Sequence, residues 1–353
     1  MPSPHLCTTE YRIANTSVRM FGQAIGPVLG GIIAQYLGFH GIFWVLFGGG
    51  AFALIILIVF LPETLHPIAG NGSLQLTGIH RPLYYKFSPF PSELIEHNLP
   101  PQPKVTPSMI FHPLKLLFHK DVFSVIFFGS IVYTVWSMMT SSTTALFQTR
   151  FGLDDLTLGL IFLPSGIASM MGAYVTGKLS KRDWRIMEQQ YRAEKNIPGS
   201  VPLNKKHLAD FPFEKARMRN IWWMVAIFII TTALYGFSLQ FDILALPLIL
   251  QFCVSFTANS IFTLNSTLVV DLFPGQAASA TALNNLVRCL LGAGGVAVVQ
   301  EVIDGIGGGW AFVLFAGITL LVCPLVVVEW KCGGKWASER RERLAAEKEV
   351  EGC

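Results

Sequence analysis

The sequence predicts an all-α, polytopic membrane protein with about eight transmembrane helices. Three observations carry this. Hydrophobic residues fill 52% of the 353 positions and charged residues only 14%, where a soluble domain carries about 25% charge. The apolar residues are gathered into runs near the roughly 20 residues a helix needs to cross a bilayer. When the runs are alternated across a membrane, lysine and arginine collect on one side.

Taken in order, residues 1–17 are a polar, turn-rich segment with no signal-peptide pattern. The first two spans, about 18–38 and 42–61, form one region (18–61) joined by a tight link at Gly38 to Gly41. In the first of them Gly22, Gly26 and Gly30 recur every four residues, leaving a bare stripe that another helix can approach closely. Pro27 frees a carbonyl one turn back and bends that helix. Residues 62–120 are a proline-rich polar connector. A six-span region, 121–330, follows, with spans near 122–147, 156–177, 221–239, 243–270, 278–300 and 310–330. A basic loop, 178–219, divides it, and a charged tail, 331–353, closes the chain.

With the N-terminus cytoplasmic, the connector, the basic loop and the tail are cytoplasmic too. Every one of the 26 lysines and arginines then lies inside except Arg150, outside, and Arg288, within a span. A missed or extra central span would scramble this asymmetry. The net charge of +4 is accounted for by topology and gives no ground for a nucleic-acid partner. The six cysteines have no metal-ligand spacing, and no metal or cofactor is called for. No enzyme signature of the metalloprotease, nucleophile-elbow or P-loop kind is present in a supporting context.

GQAIGPVLGG (22–31), LPETL (61–65), VDLFPGQAASATALNNLVRCLLGAGGVAVV (270–299) and GGGWAFVLFAG (307–317) together resemble a known family. The chain resembles a fungal major facilitator superfamily transporter, of the twelve-span drug:proton antiporter family that includes quinidine- and multidrug-resistance exporters. The resemblance runs from about residue 20 to the end. It implies a partial major facilitator fold: the last two helices of the N-terminal half, then the six-helix C-terminal half. On that plan the family's four opening spans have no counterpart in this chain. It further implies proton-coupled export of small organic compounds or drugs by alternating access, as a monomer in the plasma membrane. A degenerate transporter or a non-transporting membrane partner is the alternative.

The resemblance makes Gly22, Gly26, Pro27, Gly30 and Gly31 the antiporter motif, with roles in close packing and in coupling one half to the other. It also makes Gly177, Lys178, Arg182 and Asp183, within GKLSKRD, a cytoplasmic loop motif. Lys181 stands there where the family pattern has an aspartate. That aspartate normally helps form a charge-relay clamp.

Pathway candidates come from the residues themselves. Arg288 stands about ten residues into its span, where a central arginine costs about 2.5–3.5 kcal/mol on insertion scales and must find partners. Asn284 and Asn285 lie four and three residues before it, so Asn284 shares its face. Two readings stand: substrate positioning, or a structural arginine held by helix-end carbonyls. Asn259 and Asn265 either line a water-filled cavity or bond across helices. Tyr133 and Trp136 would suit an organic cation through their ring faces, or anchor a span end. Pro164 and Gly166 mark a bend of the kind found where transporters bind solutes.

Overall fold

A computed structural model of the chain describes residues 4–61, 114, 117–196, 213–273 and 277–351. Most of the connector and residues 197–212 of the basic loop lie outside the described residues. Within them the fold is all-α. The helices are α1 (Pro4–Phe60), α2 (Lys120–Phe151), α3 (Asp155–Glu194) and the short α4 (Phe213–Met218). Then come α5 (Ile221–Ser238), α6 (Ala245–Leu272), α7 (Ala277–Ile306) and α8 (Gly308–Glu351).

Seven of these helices are long and apolar enough to cross a membrane, one fewer than the eight expected spans. The difference lies in α1, which continues unbroken from residue 25 to 60 except at Gly38, with φ 70° and ψ 179°. L-residues avoid that conformation, so only a glycine breaks the helix there without strain. The break falls on the link expected between the first two spans. A side chain at Gly41 would strike Leu37 and touch Ile33, so the chain turns tightly on itself across the break.

The chain divides into two compact units, residues 33–110 and residues 1–32 with 111–353. In the first, the described helix after Gly38 keeps almost all its large side chains exposed, Trp44 and Phe47 among them. The second is a helical bundle. Its main pairings are α3 on α6, α7 on α2, α8 on α5 and α5 on α6, with α2 also against α8 and α6. Phe128 and Phe147 of α2, Phe228 and Tyr235 of α5, and Phe312 and Phe315 of α8 are its largest fully buried side chains. Tyr235 and Phe312 meet edge-on at 4.9 Å, the arrangement ring quadrupoles favour.

Two segments expected as loop and tail begin as helix. α3 runs through the basic segment to Glu194, and α8 runs through the charged tail to Glu351. Both segments are rich in Arg, Glu, Ala and Lys, which lose little rotamer freedom in a helix. In α3 the Arg192 guanidinium reaches back one turn to Glu188 at 2.8 Å, a pairing that supports an exposed helix.

Candidate functional site: a helix seam, a polar interface and a lone arginine

Where α1 crosses α3, backbone meets backbone. A Cβ at Gly31 would lie 2.7 Å from the Asp155 carbonyl oxygen, and one at Gly159 would lie 2.7 Å from that of Pro27. Real Cβ atoms do not approach so closely, so the seam needs glycine on both sides. It runs along Pro27 and Gly31, beside the stripe read from the sequence. At Gly22, Gly26 and Gly30 an added Cβ would meet no described atom within 4 Å.

Between α3 and α6 the polar side chains are used on one another. The Asn259 amide donates to Ser169 Oγ at 2.8 Å and to the Ser255 carbonyl at 3.0 Å. Ser255 Oγ lies 2.6 Å from Ser165 Oγ, and Trp136 of α2 donates its indole N–H to Ser255 at 3.2 Å. All five side chains are buried. Such bonds tie three helices together at about 0.6–2 kcal/mol each. Pro164, half-buried, and Gly166, buried, sit inside the continuous α3, so the helix runs through the proline without breaking. Asn265 is buried against Gly129 and lines a cavity of about 10 Å³ with Ser124 and Glu329. That is about the room one water needs.

Arg288 lies near the middle of α7. Its guanidinium carbon is 4.4 Å from the ring centroid of Tyr133, on α2, and 4.4 Å from that of Phe262, on α6. The half-buried cation is thus wedged against two ring faces. Nε is buried with no hydrogen-bond partner. Among the described residues no carboxylate pairs with Arg288. Asn284 is buried beside it but donates to Ser266 Oγ at 3.3 Å. α2 comes this close because α7 is bare one and two turns further on. A Cβ at Gly292 would lie 3.1 Å from the Tyr133 ring, and one at Gly295 would lie 2.4 Å from Thr134.

Beyond the apolar part of α3, the GKLSKRD motif enters a charged cluster that its own pattern does not reveal. Asp183 is buried and accepts a hydrogen bond from Asn220. Burial pushes its carboxyl above the ordinary aspartate value, while the Asn220 bond, Arg219 and Arg182 pull it back. Arg217, on α4, donates from Nε to Asp271 of α6 at 2.8 Å and from Nη1 to Ser180 of α3 at 2.7 Å. Its guanidinium also lies 4.7 Å from the Trp184 ring. Gly177 is buried, while Lys178 and Arg182 are exposed, with the Lys178 ammonium 4.4 Å from the Tyr174 ring.

Sequence reasoning passed over Arg217, Asp271 and Glu329. Glu329 is buried near the end of the last apolar run and accepts a hydrogen bond from Ser124 Oγ. The signal for it was a single glutamate in VVVEW. For Arg217 and Asp271 there was none, because the two are 54 residues apart and only the fold joins them.

A family model described as Major Facilitator Superfamily matches residues 14–296. Citrate exporter 1 of Aspergillus niger is 50% identical over 331 residues, covering 93% of this chain and 63% of that protein. MFS-type transporter phiD of Fungal sp. is 32% identical, over 92% of this chain and 49% of its own length. MFS antiporter QDR2 of Candida albicans is 28% identical, over 87% of this chain and 60% of its own length. The chain therefore spans less than two thirds of the length of each of these relatives.

Proposed function

The chain belongs to the Major Facilitator Superfamily, and from that premise we propose that it exports a small organic compound across a membrane by alternating access, coupled to protons. The observation that carries the reading is Arg288, a cation kept near the centre of a membrane-spanning helix with no carboxylate beside it among the described residues. A charge at that depth is costly, and such residues mark substrate and ion pathways.

The remaining geometry has roles to match. The glycine seam between α1 and α3 is a close crossing of the kind along which helices can slide during a rocking motion. The Arg217–Asp271–Ser180 contacts act as a latch at one end of the bundle, closed in this conformation. The proposed site is the plasma membrane, with both termini and the basic segments cytoplasmic, in keeping with the distribution of lysine and arginine.

Citrate is the substrate in the name of the relative at 50% identity, whereas drugs come from the family resemblance, and that identity favours an organic acid over a drug. The test is export from yeast cells making the full chain, loaded separately with labelled citrate and with a cationic drug. The expected result is faster loss of citrate than from control cells, slowed by a protonophore. Equal loss of both compounds from producing and control cells would sink the transport reading. Export insensitive to the protonophore would remove proton coupling alone.

A further inference from the structure

We infer that the Arg288 guanidinium is the binding site for a carboxylate of the transported compound, so that the substrate class is a small organic acid in its anionic form. The inference rests on the transport reading above and goes further, to a site and its ligand chemistry. Three features of the guanidinium support it. Its carbon lies 4.4 Å from both the Tyr133 and the Phe262 ring, whose centroids are 6.5 Å apart, so the rings flank it on two adjacent sides and close those sides to other contacts. Nε is buried between the helices. The two terminal nitrogens are neither buried nor bonded to any described protein acceptor.

What remains open is the outer edge of the fork. Parallel N–H groups in one plane match the two oxygens of a carboxylate, which Arg engages with geometry as well as charge. A structural arginine would have used those donors on helix-end carbonyls or on a carboxylate, as Arg217 does. The polar neighbours are committed elsewhere: Asn284 to Ser266 and Trp136 to Ser255. Asn285, half-buried three residues before Arg288, makes no hydrogen bond among the described residues and is available to a hydroxyl or second carboxylate. An organic cation fits badly, because Tyr133 already faces a cation and Arg288 would repel another.

The test is binding of labelled citrate to the full chain purified in detergent, with unlabelled tricarballylate and its trimethyl ester as competitors. The acid should displace citrate and the uncharged ester should not. Arg288→Ala should weaken binding by about ten- to a hundredfold, the range for a charge-assisted hydrogen bond. Arg288→Lys should recover little of it, since an ammonium has no planar fork. If the alanine variant does not purify as a single species, Arg288→Gln takes its place, and the ester competition needs no variant at all. Equal displacement by the ester, unchanged affinity in Arg288→Ala, or no citrate binding by the unaltered chain would overturn the site. Export of a non-carboxylate compound by a chain that ignores citrate would overturn the site and leave the transport reading standing. Citrate binding that depends on Arg288, in a chain that exports nothing, would support the site and sink the transport reading.

Discussion

Arg217 and Arg288 have the same side chain and opposite surroundings. Arg217 has an aspartate, a serine hydroxyl and an indole around it, and it joins three helices. Arg288 has two rings, a buried Nε with no partner and an open edge. A cation that serves the fold is matched by the fold. One left half-matched near mid-membrane is a standing cost, which the proposed carboxylate site would offset. The comparison separates stability from function more sharply than burial does, since Arg217 is the more buried of the two.

The largest expected effect tests that separation directly. Arg217→Ala leaves Asp271 without its cation, and breaking a buried pair from one side costs about 3–5 kcal/mol. The Asp271 side chain is 19% exposed, so solvent relieves part of this and the lower end applies. Melting of the purified chain in detergent should fall well below that of the unaltered protein. Arg288→Ala should melt within about 1 kcal/mol of it, because the loss of two cation–π contacts is offset by removal of a costly mid-span charge. Equal losses in the two variants would break the comparison and return Arg288 to a structural role.

Next in size is the α1–α3 seam. Gly159→Val places side-chain atoms where the Pro27 carbonyl sits, and overpacking of this kind costs about 1–3 kcal/mol. Cross-linking of a cysteine pair at positions 28 and 159 should lose efficiency in a Gly31→Val background if the two helices are forced apart. Undiminished cross-linking would show that the seam yields without separating.

The spans, their order and the charge asymmetry could be read from the sequence because each depends on local composition: a run of apolar residues reports itself. The breaks at Gly38, Gly152 and Gly307, all at positive φ, fall in the links between runs for the same reason. Arg288 was also visible, as a lone charge in a span. What it touches was not, since Tyr133 and Phe262 are remote in sequence and enter only through the packing of α2 and α6 on α7. The stripe Gly22, Gly26, Gly30 was read with the right spacing but one face away from the contact. Helical periodicity tells which residues share a face, and not which face a neighbour takes. The helical stretches past residues 177 and 330 were missed because charge was read as loop, although charged residues with long stems favour helix.

The smallest effects separate groups bound to the protein from those that only resemble them. Asn259→Ala removes two bonds, to Ser169 and to the Ser255 carbonyl, while Ser169 keeps its own bond to the Ser165 carbonyl, so about 0.6–2 kcal/mol should be lost. Gly26→Ala, with open space at its Cβ, should change stability by no more than about 1 kcal/mol, and toward gain, since alanine is the better helix former. A gain at Gly26 with transport lost would mean that the open stripe meets a surface during the transport cycle that it does not meet in this conformation. A gain with transport intact would confine the motif's working contact to Pro27 and Gly31, the pair already seated on α3.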